Sequence, residues 1–336
     1  MTVTANGPWT FLHVNDSHMG TARSYRFRPA INKRWAAIKN QMAAIDADLV
    51  LHGGDLTRDG ETHEFEYQQA REDLDDLPFP AFVIPGNMDV GNKHARENGD
   101  KSKGPRSWDW HDPDLNMTGR RLDLFSSYFG PIHWSFLHRN VRFTGFYAAV
   151  AGSGLPQEER MWKMLERLPE LPAGTHHVAV MHYWPFIEQL DEPDWDLTNA
   201  DQYYDWYFSI DLPHRRRLWD LLKAADVEVL FCEHVHTGRP VQEVEGIRLY
   251  RTQPAGNTGQ LAERWPKADT RFGFHRCDVG ESGIEVTFVV GDEQCDEFDS
   301  FGPWDIRRSR SVTTRLPSSN RRLPRIHPGM MSRKDE

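Results

Sequence analysis

Residues 9–18 read WTFLHVNDSH, an apolar, strand-like run that ends abruptly in polar residues. The same arrangement recurs at residues 48–55 (DLVLHGGD) and 81–89 (AFVIPGNMD), where a short apolar run again precedes polar residues and glycine. Between these runs, residues 30–45 have apolar side chains at helical spacing, and residues 61–76 have a charged, helix-like pattern. Strands that alternate with helices predict an α/β fold, in which functional side chains lie beyond the carboxyl ends of the strands.

The same alternation continues along the chain and fades after about residue 292. Further strands are predicted near Val141–Tyr147, His177–Met181 and Val227–Cys232, and further helices near Gln157–Leu168 and Pro213–Ala224. Residues 247–251, 271–278 and 283–290 have the pattern of β-hairpins. Two segments interrupt the alternation: a polar surface excursion at about 91–120, and an acidic, aromatic-rich one at about 183–211.

The amino-acid composition limits which classes of protein this chain can belong to. The chain has 336 residues, of which 38 % are hydrophobic and 27 % charged, and no apolar run approaches the roughly 18 residues of a membrane span. The N-terminus carries no basic and apolar leader pattern, so we expect a cytoplasmic protein without membrane contact. Three cysteines are too few for a disulfide framework or a cysteine-rich zinc site.

Charge is distributed unevenly along the chain. The net charge is −10, but residues 306–334 contain nine Lys or Arg residues and no acid. We therefore predict one domain over residues 1–300 and a basic, flexible tail over residues 301–336. The acidic body disfavours nucleic-acid binding, so the tail is the candidate surface for an anionic partner. Alternatively, the tail could dock on the acidic body of a neighbouring copy in a homo-oligomer.

Polar clusters that follow the strand-like runs contain the residue types that bind borderline divalent metals. In Asp-x-His and His-x-His the two side chains project to the same side of an extended segment, so both can reach one metal centre. An Asp beyond a Gly-Gly pair can approach closely and bridge two ions, and two adjacent ions can activate water against a phosphoryl group. The candidate metal ligands are Asp16, His18, Asp55, Asn87, His182, His234 and His236.

The order of these clusters resembles the calcineurin-like metallophosphoesterase superfamily, whose motifs are D-x-H, G-D, G-N-H-D/E, a lone His after a strand, and G-H-x-H. The matching segments, spread over residues 8–290, are Asp16-Ser17-His18, Gly54-Asp55, Gly86-Asn87-Met88-Asp89, His182 and His234-Val235-His236. The resemblance implies a four-layer sandwich of two mixed β-sheets flanked by helices.

The resemblance also implies where two divalent or trivalent metal ions (Mn, Fe or Zn) would bind. Asp16, His18 and His236 would hold one ion. Asn87, His182 and His234 would hold the other, and Asp55 would bridge them. Catalytic roles fall on Asp55, Asn87 and His182.

Two positions depart from the superfamily pattern. Met88 replaces the usual histidine that protonates the leaving group, and a thioether cannot donate a proton. The side chain of Met88 either fills the core or faces the substrate. Glu233 replaces the usual glycine before H-x-H, where a carboxylate either supports a ligand histidine or crowds the site.

Substrate-side residues are predicted from their positions near these clusters. His63, His94 and His111 are candidate replacement acids, and Asp89 is interpreted mainly as a structural carboxylate. The aromatic residues at 183–211, including Trp184, form either a satellite core or a cap over the substrate. Acidic residues between 191 and 196 would disfavour a highly anionic substrate.

The sequence as a whole predicts hydrolysis of a small phosphoric ester by a hydroxide held between two metals. A phosphodiesterase is favoured, since a site without the usual histidine acid suits a substrate whose leaving group departs readily. The alternatives are a phosphomonoesterase, including a protein phosphatase, and a non-catalytic metal-binding scaffold.

Overall fold

The apolar runs form the strands of two mixed β-sheets in the computed structural model. The first sheet has the strand order β11-β10-β1-β2-β3, in which β1, β2 and β3 are parallel and β10 and β11 are antiparallel to their neighbours. Its strands are β1 (Trp9–Val14), β2 (Val50–His52), β3 (Ala81–Val83), β10 (Gly273–Gly280) and β11 (Gly283–Val290). The structure describes residues 7–24, 27–95, 115–197, 199–256, 264–265 and 267–292.

The second sheet has the strand order β4-β5-β6-β7-β9-β8, with parallel pairing from β5 to β9 and an antiparallel strand at each edge. Its strands are β4 (His133–His138), β5 (Val141–Phe146), β6 (His176–Met181), β7 (Val229–Cys232), β8 (Gln242–Val244) and β9 (Ile247–Arg251). The helices are α1 (Pro29–Ala43), α2 (Glu64–Asp75), α3 (Asn87–Val90), α4 (Gly119–Phe129), α5 (Pro156–Arg167), α6 (Ala200–Phe208) and α7 (Leu212–Ala224).

Alternation of side chains along the strands builds the core between the two sheets. Trp9 and Phe11 of β1 belong to the same buried apolar cluster as residues of β5, β6 and β7 in the other sheet. The rings of Phe11 and Phe143 meet edge to face with centroids 5.0 Å apart. Because successive side chains point to opposite faces, Leu12 of β1 faces the helices instead.

Helices cover the outer faces of both sheets. Trp35, Ile38 and Met42 recur at helical spacing along α1 and are buried in the apolar cluster that includes Leu12. On the second sheet, α7 buries Trp219 in the same cluster. The result is the predicted four-layer arrangement of two mixed sheets flanked by helices.

Five elements were not predicted from the sequence. These are α3, α4, β4, α6 and β8, of which α6 lies inside the segment interpreted as an aromatic excursion. Partial burial of the edge strands β4 and β8 gives them weak apolar alternation. The predicted tail at 301–336, and the end of the domain at residue 300, fall outside the described residues. Within the described ranges, every helix is too short or too polar to span a bilayer.

A buried carboxylate secures the loop that follows β2. Glu66 lies in the first turns of α2 with no exposed surface, and its Oε2 accepts the backbone N–H of Asp59 at 2.6 Å. Burial, reinforced by the nearby Asp59 carboxylate, raises the pKa of Glu66 to about 8, although Arg58 acts in the opposite direction. The folded protein therefore retains the Glu66 proton at a pH where the unfolded chain loses it.

This proton makes stability depend on pH. The stabilisation is complete below the ordinary Glu pKa of 4.5 and is lost as the pH rises through about 8. We expect the free energy of unfolding to fall between about pH 4.5 and 8, with Glu66 contributing at most about 1.4 kcal/mol per pH unit. Glu66→Gln flattens this slope in denaturant titrations, whereas Glu72→Gln at an exposed position of α2 does not. Equal slopes in the two variants would contradict the assignment.

Candidate metal centre

Loops at one edge of each sheet bring the candidate ligands together. Asp16 and His18 follow β1, Asp55 follows β2, and Asn87 follows β3 at the start of α3. From the second sheet, His182 follows β6, and His234 and His236 follow β7. Because β1, β2 and β3 are parallel neighbours, as are β6 and β7, the carboxyl ends within each group lie at a common edge.

The backbone of these loops adopts a conformation that side chains other than glycine rarely take. Nine described residues other than glycine have a positive φ, and five of them are candidate ligands. Such conformations are retained only where the surrounding structure enforces them, and they concentrate at functional sites. The five are Asp16, His18, Asp55, His234 and His236, with φ between 46° and 74°.

The first group of candidate ligands consists of Asp16, His18, Asp55 and His236, whose ligand atoms all lie within 4.8 Å of one another. The Nε2 atoms of His18 and His236 are 2.9 Å apart, and Asp16 Oδ1 lies 3.3 Å from His236 Nε2. All four side chains are buried. Four nitrogen and oxygen donors that converge on one point are typical of a cation site.

The second group consists of Asp55, His182 and His234, so Asp55 belongs to both. Its Oδ2 lies 3.6 Å from His18 Nε2 in the first group and 3.5 Å from His182 Nε2 in the second. Its Oδ1 accepts the Met88 N–H at 2.7 Å, which leaves Oδ2 as the atom directed at both groups. One carboxylate oxygen therefore stands between the two clusters.

Several candidate ligand atoms, including the amide oxygen of Asn87, are buried yet have no hydrogen-bond partner among the described residues. In the two histidines of the second group the opposite nitrogen is engaged: His182 Nδ1 contacts the Gly53 carbonyl at 2.9 Å, and His234 Nε2 contacts the Tyr207 carbonyl at 3.2 Å. An unsatisfied buried polar atom is costly, and a metal ion would satisfy these atoms while the carbonyls orient the rings. The unpartnered atoms are Asp16 Oδ1, Asn87 Oδ1, His182 Nε2 and His234 Nδ1. The residues present fit a bound cation.

Electrostatics at the site also favours positive charge. Burial lowers the pKa of His182, but the Asp55 carboxylate outweighs burial and raises it to about 9. Burial would raise the pKa of Asp55, but His182 outweighs it and holds that pKa below its usual value. Burial lowers the pKa of His18 to about 4 and also lowers that of His234, which keeps both imidazoles neutral, as a metal ligand must be.

Two glycines allow the loops that follow β1, β2 and β3 to approach one another. Gly54 has a φ of +103°, which strongly favours glycine, and a Cβ there would lie 2.7 Å from the Gly86 nitrogen. A Cβ on Gly86 would overlap Asp55 Oδ1 and its backbone nitrogen. The position of Asp55 therefore depends on the absence of a side chain at residue 86.

Asp89 supports the same loops from behind. Its carboxylate accepts four hydrogen bonds: from the Gly86 and Thr57 N–H groups at 2.9 Å, from Thr57 Oγ1 at 2.7 Å, and from the Leu56 N–H at 3.2 Å. Burial, followed by repulsion from Asp55, raises the pKa of Asp89 to about 7. These contacts agree with the interpretation of Asp89 as a structural carboxylate.

Glu233 differs from one of the two expectations, that its carboxylate supports a ligand histidine. Its Oε1 lies 2.9 Å from His13 Nε2 between the sheets, and a Cβ on Gly53 would overlap its side chain. Burial raises the pKa of Glu233 and lowers that of His13, so the pair is neutral. The carboxylate therefore joins the two sheets beneath the site and contacts no candidate ligand histidine.

The predicted substrate-side residues that the structure describes make local contacts of different kinds. Met88 is partly exposed beside Asn87 and lies outside the buried core clusters. The ring nitrogen of His94 contacts the Met117 carbonyl at 2.9 Å, and the ring of His63 stacks on Phe65. His111 falls outside the described residues.

Trp184 and the acidic residues near it differ from the expectations. Trp184 is fully buried, with its ring 5.2 Å from that of Trp265, so its side chain presents no surface to a substrate. Glu192 is buried and paired with Arg215 at 3.0 Å. The acidic residues were expected to disfavour a highly anionic substrate, but this ion pair removes one of the charges on which that argument depended.

The sequence did not predict the aromatic rings that pack around His234. The rings of Tyr183, Tyr207 and Phe208 lie 4.3, 5.0 and 5.5 Å from its ring. Their clustering in residues 183–211 was visible as composition, but nothing in the sequence connected that segment to His234. Most of its aromatic side chains are buried, as the core interpretation of the segment expected, but they belong to the large apolar cluster that includes Leu12 and form no separate satellite core.

A double sheet with two adjoining clusters of metal-ligand type at its edge defines a metal-binding α/β class of protein. The family model for calcineurin-like phosphoesterases matches residues 10–238. The chain belongs to this family, whose members are hydrolases acting on phosphoesters.

Two known proteins illustrate the similarity. A protein of Arcobacter nitrofigilis named "Probable glycerophosphodiester phosphodiesterase GpdQ" is 26 % identical over 198 residues, which is 56 % of this chain and 56 % of the relative. The matched region thus spans little more than half of that relative's length. The structure of purple acid phosphatase PPD1 from yellow lupin (Lupinus luteus) superposes with a TM-score of 0.57 at 13 % identity. It covers 94 % of this chain and 57 % of the lupin chain, and it shares the fold.

The contact between Gly86 and Asp55 yields a direct test of how the site is assembled. In Gly86→Ala the new methyl group displaces the Asp55 carboxylate, so we expect weaker Mn²⁺ binding in calorimetric titrations and a stability loss of about 1–3 kcal/mol. Gly280→Ala is the matched control, because a Cβ there meets no atom within 4 Å. Mn²⁺ binding by Gly86→Ala equal to that of the control would contradict the described placement of Asp55.

Proposed function

We propose that this protein is a dinuclear metal-dependent phosphodiesterase. The observation that carries the proposal is the shared oxygen, Asp55 Oδ2, which faces a cluster on either side. Asp16, His18 and His236 would hold one ion of Mn, Fe or Zn, and Asn87, His182 and His234 would hold the second. Asp55 would contribute to both, and family membership supports phosphoester hydrolysis as the reaction.

The chemistry divides between the ions and the chain. Two bound divalent ions supply Lewis acidity toward the phosphoryl oxygens and lower the pKa of water toward neutrality. The chain keeps the ligand atoms in place: the Met88 N–H fixes the rotation of the Asp55 carboxylate, and the Gly53 carbonyl fixes the ring of His182. Burial of the ligands limits competing water, which strengthens every electrostatic interaction at the site.

A diester is the proposed substrate class, with small organic phosphodiesters as the first candidates. The name of the Arcobacter relative supports this preference. Met88 supports it as well, since without the superfamily's usual histidine at this position the site lacks one source of protons for a poor leaving group. The same feature favours a second candidate, a metal-binding scaffold without turnover, which the experiments below distinguish.

Metal content and model substrates test the proposal together. We expect two ions per chain by elemental analysis after loading with Mn²⁺, and faster hydrolysis of bis(p-nitrophenyl) phosphate than of p-nitrophenyl phosphate. Asp55→Asn weakens binding of both ions and removes nearly all turnover, because the bridging negative charge is lost. Asp46→Asn, at an exposed position, leaves both unchanged. Two bound ions without hydrolysis of either ester would support the scaffold, and a faster monoester reaction would contradict the diester preference.

The absence of a proton donor at Met88 leads to a separate prediction about leaving groups. Natural protein should cleave aryl diesters readily and alkyl diesters slowly, since an alkoxide departs poorly without a proton. Met88→His introduces a group able to donate one, and a general acid contributes about 10²–10⁴-fold, mainly for poor leaving groups. The rate ratio of alkyl to aryl diester should therefore rise in Met88→His and stay constant in Met88→Leu. Equal rates on both esters in the natural protein would mean that another acid acts, with His63, His94 and His111 as the candidates.

A further inference from the structure

The amide of Asn87 is held in one orientation by two side chains beyond the metal centre. Its Nδ2 donates to the hydroxyl of Tyr207 at 3.0 Å and to Asn92 Oδ1 at 3.2 Å. Its Oδ1 is buried and has no partner among the described residues. Because an amide is chemically asymmetric, rotation by half a turn would direct N–H groups at a cation. The two acceptors therefore keep the oxygen on the side where a cation would bind.

Tyr207 completes a closed set of hydrogen bonds with these residues. Its hydroxyl accepts from Asn87 Nδ2, so its own proton is free to bond Asn92 Oδ1 at 3.1 Å. The Tyr207 side chain is 4 % exposed, so its hydroxyl has little access to water as a substitute partner. Removal of the hydroxyl would leave the Asn87 amide with one acceptor instead of two.

The backbone of the same residue acts on a second candidate ligand. His234 Nε2 lies 3.2 Å from the Tyr207 carbonyl, which can only accept, so the proton of the neutral ring is on Nε2. Nδ1 is therefore the unprotonated atom, and it is the atom with no partner in the described part of the protein. One residue thus sets the amide orientation of Asn87 and the tautomer of His234.

Contacts around α6 keep Tyr207 at a fixed distance from the loop that carries Asn92. Lys93 Nζ donates to the Ser209 carbonyl at 2.6 Å and lies 4.2 Å from the centroid of the Trp206 ring. Trp195 Nε1 donates to Ser209 Oγ at 3.0 Å. The Lys93 bond joins the end of α6 to the residues that follow α3, and the Trp195 bond joins it to the chain before α6, so Tyr207 is positioned by its whole segment.

We propose that Tyr207 is a positioning residue for the second cation site. The two candidate ligands that it orients through hydrogen bonds, Asn87 and His234, both belong to that site. The 183–211 segment would then support one half of the metal centre, a role distinct from covering the substrate. This inference rests on the proposed function, since it presupposes two bound ions.

Removal of the hydroxyl tests the inference directly. In Tyr207→Phe the ring packing and the carbonyl remain, and we expect one of two Mn²⁺ ions to bind about 10–100-fold more weakly in calorimetric titrations while the other is unchanged. Tyr204→Phe is the matched control, because it removes a hydroxyl from the same helix at a residue whose ring packs against Tyr203 and Phe208. Activity at saturating Mn²⁺ should recover in Tyr207→Phe, which a misfolded variant would not show.

Asn92 provides an independent pair of variants. Asn92→Leu removes the acceptor shared by Asn87 and Tyr207 and should weaken the same ion, whereas Asn92→Asp retains an acceptor and should restore tight binding. Unchanged binding in both Tyr207→Phe and Asn92→Leu, or equal weakening of both ions, would overturn the positioning role alone. Failure of the natural protein to bind a second ion would overturn the dinuclear proposal and this inference together.

Discussion

The two oxygens of the Asp55 carboxylate have different partners, and most of the geometry of the site follows from this difference. Oδ1 is bound by the backbone of the β3 loop through the Met88 N–H, while Oδ2 faces His18 of the first sheet and His182 of the second. A buried carboxylate is stable only when its charge is compensated. Imidazoles from both sheets surround it, so the electrostatic demand of one side chain ties the edges of the two sheets together. Gly54, Gly86 and Asp89 serve the same end, since they allow or hold the approach of the loops.

Beneath the site the two sheets meet through contacts of another kind. Aromatic and aliphatic side chains fill most of the interface, yet His13 and Glu233 place a polar pair within it directly below the ligands. Burial keeps this pair neutral, so it avoids the desolvation of two separate charges while still being directional. An apolar interface tolerates small sliding movements, whereas a hydrogen bond between fixed atoms does not. The pair thus fixes the position of β1 relative to the loop after β7, which carries His234 and His236.

Local patterns predicted the parts of the structure that depend on local chemistry. The apolar runs before Asp16, Asp55 and His182 identified buried strands, and the polar residues after them identified the edge at which the candidate ligands gather. Tyr207, Asn92 and the His13–Glu233 pair escaped prediction because each acts through a partner far away in sequence, and such contacts leave no periodic trace. Trp184 shows what composition leaves open: as a candidate substrate-side residue in an aromatic segment it suited either a core or a cap over the substrate, and the structure buries it beside a strand-like bridge to Ser209. The elements α4 and α6 were missed because they lie in or beside segments whose composition resembled loops.

The pairing of β1 with β10 has a consequence for the order in which the molecule can form. Trp9 in β1 is paired with Val279 in β10. The strand that precedes Asp16 and His18 therefore cannot complete its pairing until residues near the end of the described chain have been synthesised. Contacts between residues far apart in sequence form slowly, because a large loop must close, at a cost in entropy, before the contacts can stabilise the fold. During synthesis, all seven candidate ligands leave the ribosome while one side of β1 is still an open edge. An unpaired edge is a template for pairing with other chains. The hairpin of β10 and β11 therefore acts as a late closure that protects the earliest strand from misassembly.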